Sequence, residues 1–156
     1  METWYKKVRD DLTLLPEFLD YYQNEYEDAK KEVKLLGAGS LEKASASIPH
    51  IVEHRFAQLQ DIEAILRHLN IQYEKMRSEV FQKWFENQKA ARALTARDAE
   101  KYVDADLHVN ELAELINEVA LVRNLYLSIM KGLDNKSYQI NNITKLKAAG
   151  LEDAKI

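Results

Sequence analysis

Apolar residues recur every three or four positions along most of this chain, which is the period of one buried face of an α-helix. The opening residues, from Thr3 to about Leu15, predict a short helical piece. Pro16 suits the first turn of a second helix, for which Thr13 is the expected cap. This helix is predicted to reach about Leu36, and its buried face consists of Phe18, Leu19, Tyr22, Tyr26, Ala29, Val33 and Leu36.

The first clear break in the pattern is the segment GAGS, residues 37–40, which contains two glycines. After it, a short helical segment capped by Ser40 is predicted to stop at Ile48 and Pro49. A long helix is then predicted from Pro49 to roughly Arg92, since no further Gly or Pro interrupts it. Its apolar positions form two rows with heptad spacing, a pattern typical of coiled coils. These rows are Leu59, Leu66, Tyr73 and Val80, and Ile62, Leu69 and Met76.

The last third of the chain contains clear start signals for helices. Thr95, with Asp98 three residues later, has the form of a capping box and predicts a short helix over residues 96–103. Asp104 is expected to cap the next helix, which is predicted to run to about Leu133. Its wide apolar stripe predicts burial on more than one side. The stripe consists of Val109, Leu112, Leu115, Ile116, Val119, Val122, Leu125, Tyr126, Ile129 and Leu133.

A final helix is predicted to start at Asp134 or Ser137 and to end at Gly150, a typical C-terminal capping residue. The expected fold is therefore all-α. A helix of about 40 residues is about 60 Å long, more than a compact bundle of 156 residues needs. We therefore expect an elongated bundle that assembles as a homo-oligomer through its apolar stripes. The expected interface residues are Val109, Leu112, Ile116, Val119, Tyr126, Ile140 and Ile143.

Composition excludes several classes of site. The chain has 4 Gly and 2 Pro residues and no Cys, which favours helix and excludes disulfides, thiolate metal sites and a cysteine nucleophile. No apolar run approaches the ~18 residues of a membrane helix, and the N-terminus lacks the apolar core of a secretory signal. We expect a cytoplasmic protein, in the host cytoplasm if it is viral, with no membrane partner.

Charge is unevenly distributed. The net charge is −4, which argues against coating of nucleic acid by the whole surface. Residues 67–101 carry eight Lys or Arg against five Asp or Glu, and residues 131–156 carry five against three. Residues 1–66 and 102–130 are acidic. The basic middle and tail indicate local anion binding, although such a modest asymmetry also fits ordinary solvated faces.

Two motifs partly match those of enzymes, but each lacks residues that the enzyme site requires. The residues His50 to His54 match the H-x-x-E-H pattern of zinc peptidases. A catalytic zinc also requires a third protein ligand and a cleft, and the favoured interpretation is a solvent-facing histidine pair. The glycine cluster lacks the Lys-Thr of a phosphate-binding loop. No nucleophile, base and orienting group are apparent, so we expect neither catalysis nor a cofactor or metal.

The stretch from Lys75 to Arg97 interleaves aromatic rings with cations. Cations that track phosphates, together with rings on which bases stack, are what sequence-tolerant binding of single strands requires. The candidate nucleic-acid-binding residues are Lys75, Arg77, Lys83, Trp84, Phe85, Lys89, Arg92 and Arg97. The alternative is that Phe81, Trp84 and Phe85 are core or interface anchors, since aromatic residues at helical spacing are usually buried, and that the cations only make the helix soluble.

Several segments of the second half match a known pattern in order. Ser47-Ile48-Pro49 opens a long helix, and Lys83 to Asn87 stands where a basic aromatic phrase belongs, with Trp84-Phe85 in place of paired tyrosines. The capped segment Leu94 to Asp106, the phrase Asn135 to Ile143 (NKSYQINNI) and the Gly150 ending follow. Over about residues 47–150 the chain resembles the UvsY family of phage recombination mediators.

The resemblance implies a function. A UvsY-like protein is a non-catalytic, ring-like homo-oligomer that binds single-stranded DNA and contacts a RecA-like recombinase and single-strand-binding protein. It promotes loading of the recombinase onto DNA that is coated by the single-strand-binding protein. Residues 40–156 are then the helical mediator domain, and residues 1–39 are an additional acidic helical arm. The alternative function is a non-catalytic helical scaffold or assembly protein that does not bind DNA.

Overall fold

The computed structural model describes residues 3–34, 41–86 and 95–150 of the chain. Within these ranges it is helical and contains no strand, so the prediction of an all-α fold is confirmed. The helices are α1 (Trp4–Asp10), α2 (Leu15–Val33), α3 (Leu41–Glu86), α4 (Ala96–Asp104) and α5 (Leu107–Ala148), with a 3₁₀ turn, Leu12–Leu14, between α1 and α2. None of the described helices carries an apolar stretch long enough to cross a bilayer.

The molecule is built on two long helices, α3 of 46 residues and α5 of 42 residues. At 1.5 Å per residue they are about 69 Å and 63 Å long. They run antiparallel. Near one end, Met76 and Leu112 line the same cavity, whereas near the other end Val52 packs in one cluster with Leu133.

Helix α2 packs along the middle of this pair and completes the hydrophobic core. Phe18 and Tyr22 of α2 are buried in one cluster with Ile62 and Leu69 of α3 and Tyr126 of α5. The hydroxyl of Tyr126 donates a hydrogen bond to the backbone carbonyl of Tyr22 at 3.2 Å. Residues 3–34 therefore share a core with α3 and α5. The expected boundary of the N-terminal arm, at residue 39, lies outside the described residues.

A half-buried carboxylate, that of Asp61 on α3, holds both N-terminal helices. It accepts hydrogen bonds from the backbone N–H groups of Trp4 and Tyr5, each at 3.1 Å, and from the hydroxyl of Tyr22 at 3.0 Å. The first N–H groups of a helix have no partner within the helix. Asp61 supplies that partner to α1 from another helix.

A second polar contact joins α2 to α3 farther along. The guanidinium of Arg55 is buried and donates two hydrogen bonds to Glu32, at 2.8 Å each, and one to Glu25 at 2.9 Å. These carboxylates, Glu32 above all, raise the pKa of Arg55 above its usual value. Because a buried unpaired charge is costly, this pairing fixes how α2 lies on α3.

Two helix breaks expected from the sequence are wrong. Helix α3 continues through Pro49, and α5 continues through Asp134 and Ser137. Pro49 cannot donate to the carbonyl of Ser45, but both residues are exposed, so water can satisfy that carbonyl. In α5 the buried stripe continues from Leu133 to Ile140 at heptad spacing, so packing maintains the helix across its polar positions.

Two expected helix caps are also wrong. Asp106, not Asp104, caps α5, and its carboxylate accepts from the N–H groups of His108 and Val109. Asp104 instead ends α4. No side chain caps α2, and Thr13 lies in the 3₁₀ turn, where its N–H donates to Asp11.

Two other terminal signals are confirmed. Thr95 and Asp98 form the predicted reciprocal capping box of α4. Gly150 follows the end of α5 with φ at 80°, a left-handed conformation that glycine adopts without strain. The predicted cap at Ser40 and the GAGS break lie outside the described residues.

Candidate nucleic-acid interface

Aromatic rings gather where α3 meets α4. The rings of Trp84 and Tyr102 are stacked, with centroids 4.5 Å apart and an angle of 18° between their planes. The rings of Phe81 and Phe85 are also stacked, with centroids 5.6 Å apart and planes at 14°. We call these four residues the terminal aromatic cluster. They belong to two short stretches of chain, the last turns of α3 and the last turn of α4.

The terminal aromatic cluster is open to solvent. Trp84 is 39% exposed, Tyr102 44% and Phe85 48%, whereas Phe81 is half-buried. Large apolar side chains that lie together at a surface indicate a contact site for another molecule. Within the described part of the chain, Trp84 and Phe85 are therefore not core anchors, and their exposed rings are open to DNA or to another subunit.

Local structure explains why Tyr102 points outward. Helix α4 buries Ala99 and Val103, which lie one turn apart on the same face. Tyr102 precedes Val103 and so lies off that buried face. The capping box at Thr95 fixes the start of α4, and the Arg77–Asp104 ion pair, at 2.9 Å, ties its last residue to α3.

The candidate cations differ in solvent exposure and in whether they form ion pairs. Lys83 and Arg97 are exposed. The ammonium of Lys75 lies 4.0 Å from Glu79, and both side chains are largely in solvent. Arg77 is held more firmly, because it bonds Asp104 at 2.9 Å and lies over the ring of Tyr73.

The contacts with Asp104 and Tyr73 make Arg77 less available for binding a phosphate. The hydrogen bond to Asp104 is the main cause of the raised pKa of Arg77, followed by the bond to Tyr73. Arg77 therefore stays charged but is already committed to holding α4. The candidates Lys89 and Arg92 lie outside the described residues.

Sequence reasoning missed Tyr102 and Lys101 as members of this surface. Lys101 is exposed, with its ammonium 3.9 Å from Asp98. The signal was present, since a helix that buries Ala99 and Val103 must turn residues 101 and 102 away from the core. The stacking of Tyr102 on Trp84 was not visible, because it depends on how α4 folds back on α3.

The stripe expected to join subunits is largely used within one chain. Five of its seven residues are buried in the core, and Ile116 and Ile143 are half-buried. An interface formed by the buried five would require this packing to open. The buried residues are Val109, Leu112, Val119, Tyr126 and Ile140.

The histidine pair lies on the surface of α3. His50 and His54 are both exposed. Across residues 3–34, 41–86 and 95–150, no group of three or more His, Asp or Glu side chains is arranged to hold a metal ion.

No family model, curated protein or solved structure matches this chain. A hypothesis about what this surface binds therefore depends on the geometry of the surface itself. That geometry offers two stacked ring pairs, three of whose four rings are open to solvent, and exposed cations on both helices that carry them. Such a surface can stack on flat, negatively charged ligands.

Proposed function

We propose that this protein binds single-stranded DNA through the terminal aromatic cluster and acts, as a homo-oligomer, as a recombination mediator. In that role it promotes loading of a RecA-like recombinase onto DNA coated by single-strand-binding protein, without catalysis or a cofactor. The observation that carries the binding step is the exposed Trp84–Tyr102 stack. The mediator role rests on the resemblance to UvsY in residues 47–150.

The rings supply the sequence-independent part of binding. Every base has a flat face, so a base can extend the Trp84–Tyr102 stack without any requirement on its identity. One base stacked on one ring contributes about 1–3 kcal/mol, as judged by alanine substitution. The Trp84 ring is held by Tyr102 before DNA arrives, so little side-chain freedom is lost on binding.

The cations supply the electrostatic part. Lys83 lies beside Trp84 in the chain, and Arg97 and Lys101 lie on α4. Each phosphate neutralised by Lys or Arg releases counterions, which makes the affinity fall as salt rises. With so few cations per chain, one copy binds weakly, and several copies on one strand multiply their affinities.

Self-association needs a surface other than the buried stripe. Helix α5 exposes Leu107, Leu121 and Leu127, and Ile116 and Ile143 keep part of their surface open. We propose that copies meet through these side chains. Light scattering at micromolar protein is expected to give a mass several times that of the 18.1 kDa chain, and a monomer would contradict this part of the proposal.

The binding step is tested by fluorescence anisotropy with a labelled oligothymidine of about 30 nucleotides at ~50 and ~200 mM salt. The protein is expected to bind, more tightly at low salt. Trp84→Ala is expected to weaken binding by about 1–3 kcal/mol. Phe56→Ala is the matched control, because Phe56 is an exposed aromatic residue of α3 far from the cluster. Absence of binding at the lower salt would contradict the proposal and favour the alternative, a helical scaffold that does not bind DNA.

Loading is tested separately, with a recombinase whose ATPase activity depends on DNA. On DNA coated with single-strand-binding protein, the wild-type protein is expected to shorten the lag before ATP hydrolysis. Trp84→Ala is expected to shorten it less, and Phe56→Ala as much as the wild type. If the protein binds DNA but leaves the lag unchanged, the mediator role fails and single-strand binding remains.

A further inference from the structure

The C-terminal part of α5 carries a second surface that combines a ring with cations. Lys131, Tyr138 and Lys145 are spaced seven residues apart, so they share one face of the helix with a drift of about 20° per step. All three are exposed, and Tyr138 is 67% exposed. We call these three residues the C-terminal strip.

Among the residues that the structure describes, the exposed Tyr138 ring is not held in place by ring stacking or by a cation. In the described part of the chain, no other ring and no cation packs against it. Helix α2 packs elsewhere on α5, where Val33 lies against Gly132 and the ammonium of Lys136 donates to the carbonyl of Glu32. The C-terminal strip is thus not part of the core.

Along the C-terminal part of α5 the charge is positive. Residues 131–150 contain four lysines and a single carboxylate, that of Asp134. Asp134 is exposed and lies one turn before Tyr138, so it opposes the two strip lysines without cancelling them. The other neighbours one turn away along the helix, Asn135, Asn141 and Asn142, are uncharged amides.

From this arrangement we infer that the C-terminal strip is a second contact for single-stranded nucleic acid, which extends the proposed function and rests on it. A base stacks on Tyr138, and the lysines on either side contact the flanking phosphates. Lys131 and Lys145 are about 21 Å apart along the helix, about six nucleotides at 3.4 Å each. A membrane surface would require a broad apolar face, which one ring among amides does not provide.

The two surfaces lie at opposite ends of the molecule. Leu112 lies level with Met76 in the antiparallel pair. Tyr138 is 26 residues beyond Leu112, and Trp84 is eight residues beyond Met76 in the opposite direction. At 1.5 Å per residue, Tyr138 and Trp84 are about 50 Å apart along the helix axes. A strand that stacks at about 3.4 Å per nucleotide covers this distance with about 15 nucleotides, and a more extended strand covers it with fewer.

The test compares labelled oligothymidines of about 4 and 30 nucleotides, of which only the longer can reach both surfaces of one chain, even when the strand is fully extended. For the longer one, Tyr138→Ala and the double variant Lys131→Gln/Lys145→Gln are expected to weaken binding at least about fivefold. Asp134→Asn is expected to strengthen it. Phe56→Ala and Glu118→Gln are the controls, since both residues are exposed and lie outside the strip, the terminal aromatic cluster and the proposed self-association surface.

Each outcome has one meaning. If Trp84→Ala weakens binding and the strip variants do not, the C-terminal strip is overturned and the proposed function stands. If the strip variants weaken binding and Trp84→Ala does not, the strip stands and the terminal aromatic cluster fails. Loss of binding together with a smaller mass by light scattering assigns Tyr138 to self-association and overturns the inference. No binding by the wild type overturns both.

Discussion

Two regions of the molecule use aromatic residues in opposite ways. In the middle, Phe18, Tyr22 and Tyr126 are 3% exposed or less. Where α3 meets α4, Trp84, Phe85 and Tyr102 are between 39% and 48% exposed. The difference follows from how many helices surround each region. Helix α2 has 19 residues, about 28 Å, and so covers less than half of α3.

The polar groups differ in the same way. In the middle, Asp61 and Arg55 are consumed by hydrogen bonds that hold α1 and α2. At the α3–α4 end, Lys83 and Arg97 lie in solvent. In the middle, the rings and charges hold helices together, whereas at the α3–α4 end Trp84, Lys83 and Arg97 stay exposed.

The largest expected difference between the two regions is in the free energy of unfolding. Phe18→Ala removes a fully buried ring and is expected to lower it by about 3–5 kcal/mol. Trp84→Ala loses one exposed stack and is expected to cost about 1 kcal/mol or less. Urea unfolding followed by circular dichroism measures both. Equal losses would mean that the terminal aromatic cluster is structural.

A smaller effect is expected at alkaline pH, again in the middle. Burial, and then the Asp61 carboxylate, raise the pKa of Tyr22 far above the 10.0 of a free tyrosine. The unfolded chain loses this proton above pH 10 while the folded chain keeps it. Stability is therefore full below pH 10 and falls as pH rises, by about 1.4 kcal/mol per pH unit for this tyrosine.

Urea unfolding of Tyr22→Phe at pH 9, 10 and 11 checks this. At pH 9 the variant is expected to be less stable, because the hydrogen bond to Asp61 is lost. Its stability should then fall less steeply with pH than that of the wild type. Tyr138→Phe, which changes an exposed hydroxyl, is the control and should keep the wild-type slope. Parallel curves for Tyr22→Phe and the wild type contradict the prediction.

The smallest expected effect is local to the α3–α4 end. Thr95→Ala removes the cap of α4 and is expected to destabilise that helix by about 1 kcal/mol. The hydrogen bond from Thr95 is the main cause of the lowered pKa of Asp98, so this pKa should rise toward its usual value in NMR titrations. Oligonucleotide affinity should fall modestly, because α4 positions Tyr102. Thr95→Ser keeps the hydroxyl and should change neither quantity.

Local signals in the sequence predicted the fold well. The apolar stripes of α2, α3 and α5 predicted buried faces, and the capping box at Thr95 was correct because all its partners lie within four residues. The breaks expected at Pro49 and Asp134 were wrong because packing along the whole helix outweighs one unfavourable position. The choice between Asp104 and Asp106 as the cap of α5 depends on where α4 ends, and so on the contact of Asp104 with Arg77.

The candidate site was predictable only in part. The mixture of rings and cations in Lys75 to Arg97 identified the α3–α4 end, but not which rings are exposed. The exposure of Trp84 depends on the distance that α2 reaches along α3, which no pattern within α3 contains. Likewise, the sequence did not indicate the roles of Asp61 and Arg55, because their partners on α2 are distant in the chain. Tyr22 is 39 positions from Asp61, and Glu32 and Glu25 are 23 and 30 positions from Arg55.

Helix α5 runs from Leu107 to Ala148 without a break, which has a mechanical consequence. A rod of this kind resists bending, so it keeps the spacing between its two extremities constant, much as a ruler does. A flexible polymer that touches both extremities must adjust its own path to that spacing. In the proposed function, the bound strand and not the protein therefore bears the deformation.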